Sequence, residues 1–289
     1  MDTHTLTAFL AVADTQSFSQ AAEQLFITQS AVSKRIALLE EQLNQRLFDR
    51  IGRKVSLTEA GDALLPRAKN ILNEIKDATR AMGNLSGEVS GILSLAASHH
   101  ISLHRLPPIL RAFTRRYPQV TLDLRFHESE IAYNGVQHGD LELALITLSP
   151  HPDPMICSYP IWEDRLQYVV AKDHPLAKKP QVSLSELTGH AAILPSESTF
   201  THQIVADQFQ RNDLALNVMM STNYLDTIRM MVSIGLGWSL LPETMIDESL
   251  TILHPNAEPI VRELGYIYHR DRTLSNAASA LVSMLTNTE

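Results

Sequence analysis

Residues 28–43 read TQSAVSKRIALLEEQL, and this stretch decides the fold. Its opening is polar: Thr28, Gln29 and Ser30, then Ser33 and the cationic pair Lys34 and Arg35. Val32, Ile36, Leu39 and Leu43 fall at i, i+4, i+7 and i+11, which is one apolar face of a helix. Thr28 suits the N-cap, because its hydroxyl can accept from first-turn N–H groups. Upstream, Leu6, Phe9, Leu10 and Ala13 share one helical face over residues 5–13. SQAAEQLF then reads as a second helix, with Ser19 as its N-cap. Short helices joined by ITQ match a helix-turn-helix. Downstream, LFDRIGRKVSLT reads as a hairpin, with strands at 47–50 and 54–57 around a Gly52 turn. Arg50, Arg53 and Lys54 cluster there, which makes the arrangement a winged one.

Charge separates this end from the rest. The formal net charge is -8, yet residues 1–85 hold ten Lys/Arg and ten Asp/Glu, whereas 86–289 hold fourteen and twenty-two. Residues 29–57 carry six basic against three acidic side chains. A locally basic segment on an acidic body suits a polyanion bound at one end, although charge alone fits a solvated surface segment better. A chain of 289 residues allows two or three domains. No apolar run approaches the ~20 residues of a membrane span. The start, MDTHTLTAFLAVAD, lacks the basic n-region and cleavage site of a signal peptide. The single Cys157 cannot form an internal disulfide, and an apolar setting favours an inert thiol over a redox switch. These features predict a soluble cytoplasmic protein.

Thr58 is placed to cap a long helix over 59–84. Leu64, Ala68, Ile71, Ile75, Ala78 and Met82 step by 4, 3, 4, 3, 4 along it, an a/d seam suited to a partner helix. Packing within the same chain would use such a stripe as well. Pro66 is expected to kink this helix or mark its effective start. GNLSGEVSG (83–91) then reads as a boundary. Beyond it, ILSLAA, VTLDLRF and LELALIT look like buried strands, with helices over 102–116 and 129–138. A second round follows: strands at 165–171, 191–195 and 217–222, helices near 201–211 and 224–234, the strand-like GLGWSLLP and LGYIYHR, and a helix from about Thr273. Alternation of this kind predicts an α/β fold with a mostly parallel sheet, in two units with a cleft between them.

Catalytic signatures are absent: there is no G-x-S-x-G, no H-E-x-x-H and no P-loop. SHHISLH offers His99, His100 and His104, but adjacent histidines point apart and no Cys or carboxylate lies close in sequence, so no metal is expected. The Met pairs at 219–220 and 230–231 read as core filler.

The segment SFSQAAEQLFITQSAVSKRIALLEEQLNQRLFDRIGRKVSLTEAG (17–61) resembles the N-terminal domain of LysR-type transcriptional regulators almost position for position. LPPILRAFTRRYP (106–118), HGDLELAL (138–145) and GLGWSLLPE (235–243) resemble that family's effector-binding domain, so the likeness covers nearly the whole chain. The resemblance implies a winged helix-turn-helix over 1–58, a linker and dimerisation helix with hinge over 59–90, and an effector-binding domain over 91–289. That last domain would hold two Rossmann-like lobes akin to periplasmic binding proteins, lobe I about 91–161 and 265–289, lobe II about 162–264. It further implies a homo-oligomer, a dimer or commonly a tetramer, on promoter DNA, with a small molecule in the inter-lobe cleft changing how the DNA is held. No cofactor and no catalysis are implied.

A helix fits the major groove with its N-terminal residues at base edges. Gln29, Ser30, Ser33 and Lys34 are thus the expected readers, Thr28 a cap or a phosphate contact, and Arg50 and Arg53 the wing contacts to backbone or minor groove. Arg35 points about 100° from Lys34 and is as well explained by a solvent-facing charge. For the cleft, the family pattern falls on Ser98, His99, His100 and Ile101, on Thr147 and Leu148, and on Ser196, Ser198, Thr199, Phe200 and Thr201. Hydroxyls at helix starts favour a small carboxylate or oxyanion, although helix capping explains the same residues. Trp162 lines the hinge or belongs to the core. Two rivals remain: a small-molecule binding protein whose helix-turn-helix only dimerises, and an enzyme using the cleft. Salt-dependent retention on heparin separates the regulator from both, and ligand turnover would mark the enzyme.

Overall fold

Helix α1 (Thr3–Thr15) starts at Asp2, whose carboxylate accepts from the Thr5 N–H at 2.8 Å. The structure, a computed structural model, describes residues 1–51 and 54–287. It divides into two units, Met1–Ser86 and Gly87–Glu289.

In the first unit α2 (Phe18–Gln24) and α3 (Gln29–Leu43) follow. Ser17, not Ser19, caps α2: its hydroxyl accepts from the Gln20 N–H at 3.3 Å. The earlier start lets Phe18 enter the core, where its ring meets Phe48 at 5.9 Å. Thr28 caps α3 through the Ala31 N–H at 3.2 Å. Leu6, Phe9 and Val12 of α1 close on Val32, Ile36 and Leu39 of α3. Each such side chain contributes about 1.5–3 kcal/mol by leaving water. The hairpin pairs β1 (Phe48–Ile51) with β2 (Lys54–Leu57). Glu40 anchors it: its Oε1 accepts from the Leu47 N–H at 2.8 Å.

Helix α4 (Glu59–Asn84) runs on through Pro66. Thr58 links it to the hairpin, donating to the Arg46 carbonyl at 2.6 Å and accepting from the Gly61 N–H at 3.1 Å. Only glycine fits at 61, because a Cβ there would lie 2.3 Å from the Leu47 carbonyl oxygen. The expected helix–helix seam needs correction in its first half. Ala68 is fully enclosed in this unit's own core, with Leu64 and Ile71 packed against it. The stripe is shared: its N-terminal part seals the domain, and Ile75, Ala78 and Met82 stay exposed.

The second unit opens with β3 (Gly91–Ala97), α5 (His99–His104) and α6 (Leu106–Arg116). The single helix expected over 102–116 is two helices, because Pro107 and Pro108 sit in the first turn of α6 and lack the N–H groups needed to continue α5. Next come β4 (Val120–Phe126), α7 (Ser129–His138) and β5 (Leu143–Thr147). The long strand β6 (Ile156–Ala171) leads to α8 (Leu184–Thr188), β7 (Ala192–Leu194), α9 (Phe200–Arg211), β8 (Val218–Ser221), α10 (Leu225–Ser233), β9 (Ser239–Pro242) and β10 (Leu250–Leu253). Strand β11 (Ile260–His269) and α11 (Asn276–Thr286) complete it.

The sheet is mixed rather than mostly parallel. β3 pairs parallel with β4 and β5, whereas β11 runs antiparallel to β5 and β6, as do β9 and β10 to β6. Strands covered on both faces read as the same apolar runs in either sense, so the sequence hid the direction. β6 and β11 are the spine of the unit. At one end Leu166 and Ile260 join a core with Leu194, Phe209 and Trp238. At the other, Leu264 and Tyr266 join Leu93, Leu145, Phe113 and Leu281. The two lobes are thus tied by two antiparallel strands. The register between those strands shifts at Leu264/Gly265, where a Cβ on Gly265 would lie 2.0 Å from the Tyr159 carbonyl oxygen. Trp162 packs against the first-lobe core, with the Arg105 guanidinium 5.9 Å from its ring centre.

Candidate functional site

In the first unit the candidate site is the N-terminal half of α3. Thr28, Gln29, Ser30 and Lys34 are exposed, and Ser33 is half-buried. Their backbone is fixed from below by Val32 and Ile36, both without solvent exposure. Spacing of four places Gln29 above Ser33 and Ser30 above Lys34, in two adjacent rows. The Thr28 hydroxyl is committed to its own helix and to the Ser30 hydroxyl at 3.0 Å, so it also orients Ser30. Glu40, in the C-terminal half of α3, turns to the hairpin, away from this end. Of the wing arginines, Arg50 lies on β1 and Arg53 lies outside the described residues.

In the second unit a cavity of about 370 Å³ opens where the C-terminal ends of β3, β4, β5 and β7 meet the start of α9. This is the edge at which open α/β sheets bind ligands. Ser98, His99, His100, Thr147, Thr199 and Thr201 line it. Ile101, Ser196 and Phe200 do not. Ile101 is fully buried in the first-lobe core, because it faces inward on α5. The Ser196 backbone is spent on Asn223 and Thr199. The Phe200 ring packs on Tyr133 of α7, outside this cavity, and its N–H donates to Glu130 of the same helix. The Thr199 hydroxyl is a cap, accepting from the His202 N–H at 3.1 Å.

Several lining groups had no local signal in the sequence. Arg262 on β11 forms the floor, buried with Asp164, its cross-strand partner on β6. Its Nε donates to Asp164 Oδ2 at 2.7 Å, and its Nη1 donates to the Thr201 hydroxyl at 3.1 Å. Glu128 and Glu130 reach across from the start of α7: Glu130 Oε1 accepts from the Phe200 N–H at 2.6 Å, and Glu128 Oε1 accepts from Asn223 Nδ2 at 2.7 Å. Burial pushes the Glu130 carboxyl above its usual range. Asp226, Tyr224 and Met245 complete the second-lobe side.

Burial, then the nearby Arg262 charge, lowers His100 from 6.5 to about 4, against the pull of Asp164 3.8 Å away. His104 and Arg105 push the same way. His100 is therefore neutral at pH 7. Between pH 6.5 and about 4 the unfolded chain binds a proton here that the folded chain refuses, so stability falls as pH falls through that window. His100→Gln should make the acid-side fall in the second unit's melting temperature shallower across that window. Calorimetric scans of both proteins check this, and parallel curves would place the titration elsewhere.

Two family profiles match the chain. The bacterial regulatory helix-turn-helix protein of the lysR family matches residues 3–62, and the LysR substrate binding domain matches residues 86–288. An uncharacterized HTH-type transcriptional regulator of the ibpB-leuC intergenic region of Azotobacter vinelandii is 66% identical over 108 residues, 37% of this chain and 75% of that protein. The uncharacterized HTH-type transcriptional regulator YybE of Bacillus subtilis (strain 168) is 30% identical, covering 96% of each chain. Among solved structures, full-length CbnR complexed with its target DNA superposes with a TM-score of 0.66 at 20% identity, covering all of both chains. The first unit carries a helix-turn-helix, the second an α/β cavity, and both match one family: the chain belongs to the LysR-type transcriptional regulators, DNA-binding proteins with an effector-binding domain.

Proposed function

We propose that α3 reads an operator in the major groove through Gln29, Ser30, Ser33 and Lys34, with Thr28 and the wing residues Arg50 and Arg53 on phosphate. The observation that carries this is the polar double row, exposed save for the half-buried Ser33, on a helix whose opposite face encloses Val32, Ile36 and Leu39. We further propose that the protein acts in the cytoplasm as a homo-oligomer, a dimer or a tetramer, joined through the exposed Ile75, Ala78 and Met82 of α4. Among the described residues no helix is long and apolar enough to cross a membrane. A small molecule in the 370 Å³ cavity, held by Ser98, His99, His100, Thr147, Thr199 and Thr201, would bias the two lobes and so the DNA geometry.

The test is footprinting of the full chain on DNA upstream of its own coding region, over a salt series. A protected site with affinity at least ~10³-fold above random DNA is expected. Equal binding to both, or none, would reduce the helix-turn-helix to a dimerisation element.

A further inference from the structure

We infer that the cavity takes a zwitterionic ligand, its ammonium held among Glu128, Glu130 and Asp226 and its carboxylate received at the start of α9 in place of Glu130. The inference rests on the reading of this cavity as the effector site, and it names the ligand's charge pattern.

The start of α9 is where an anion would be expected, since helix N-termini present unpaired N–H groups. Here the chain's own carboxylate already sits there: Glu130 Oε1 lies 2.6 Å from the Phe200 nitrogen. Glu130 comes from the first lobe and α9 from the second, so this bond spans the cleft. An incoming anion must displace Glu130, and the displaced carboxylate then needs a partner.

The other charges point the same way. Among the described residues Arg262 is the only lysine or arginine lining the cavity, and Asp164 already neutralises it at 2.6 Å. Nε and Nη2 of Arg262 both lie against Asp164 Oδ2, at 2.7 and 2.6 Å, and Nη1 donates to Thr201, so the guanidinium is already engaged. His100 is neutral by burial and adds no charge. Facing these groups are Glu128, Glu130 and Asp226. An inorganic oxyanion or dicarboxylate would meet three carboxylates and one cation already paired. A zwitterion meets no such conflict: its carboxylate replaces Glu130 at α9, and its ammonium pairs with the displaced Glu130. Leu103, Ile131 and Leu225 supply apolar wall for a side chain, in a volume suited to an amino acid.

The full chain is titrated by calorimetry and thermal melting with the standard α-amino acids and 6-aminohexanoate. Each is compared with its one-charge counterparts, such as 2-phenylethylamine and 3-phenylpropionate for phenylalanine, and with inorganic phosphate. At least one zwitterion should bind about tenfold or more tightly than both counterparts, consistent with one well-placed charge pair. Glu130→Gln keeps an acceptor for the Phe200 N–H and should cut that preference several-fold, with Glu128 and Asp226 still in place. A carboxylate or phosphate that binds as tightly as the best zwitterion overturns the inference. So does silence across the series, or an unchanged preference in Glu130→Gln. Operator binding by the same preparation is scored separately: its presence leaves the regulator reading standing whatever the ligand result, and its loss marks failure of that reading instead.

Discussion

Asp164→Ala is expected to cost the second unit about 3–5 kcal/mol, the largest loss among single substitutions considered. Asp164 and Arg262 are 3% and 4% exposed, on neighbouring strands at the point where both lobes hang from the same spine. Removing the carboxylate leaves a guanidinium in a low-dielectric site with only the Thr201 hydroxyl to answer it. That cost is the desolvation of an unpaired charge, not the worth of the pair. Replacing both residues, Asp164→Leu with Arg262→Met, should therefore recover most of the loss. Both tryptophans, Trp162 and Trp238, lie in this unit, so their fluorescence during urea unfolding follows its transition apart from the first unit's. A single-variant loss under ~1 kcal/mol would mean that water solvates the guanidinium, and would remove the pair as the brace between lobes.

The pair also shows where sequence reading stops. Thr28, the α3 stripe, the hairpin and the Thr58 cap were legible because each is a signal within a few residues. The Ser17 cap was misplaced by two positions, since Ser17 and Ser19 are equivalent as chemistry and only the burial of Phe18 decides between them. The α5–α6 break was written in Pro107 and Pro108, but a continuous apolar stripe concealed it. Arg262 and Asp164 are 98 positions apart, and nothing local marks either as the floor of a cavity. Glu128 and Glu130 look like ordinary first-turn acids of α7, and only the fold brings Phe200 and Asn223 against them. Of the residues on which the family pattern falls, Ser98, Thr147 and Thr201 line the cavity. That pattern could not tell which hydroxyl was spent as a cap, or that Ile101 and Phe200 turn into the cores.

Lys34→Ala is expected to lower operator affinity by about 5- to 100-fold while changing binding to random DNA by less than ~3-fold. The argument starts from position. Lys34 is exposed on the same row as Ser30, one turn from the helix N-terminus, and its neighbour Val32 is locked in the core. A lysine there can donate to the guanine O6 and N7 edge, a contact that random sequence seldom repeats. Phosphate contacts behave otherwise: losing one weakens all DNA alike and lowers the salt slope by about one. Mobility-shift titrations at several salt concentrations separate the two cases. A fall that is equal on operator and random DNA, with a shallower salt slope, would move Lys34 from base reading to positioning. Specificity would then rest on Gln29, Ser30 and Ser33, of which only Gln29 can pair bidentately with a base, adenine at N6 and N7. Gln29→Ala would in that case carry the larger operator-specific loss, and the same titrations would show it.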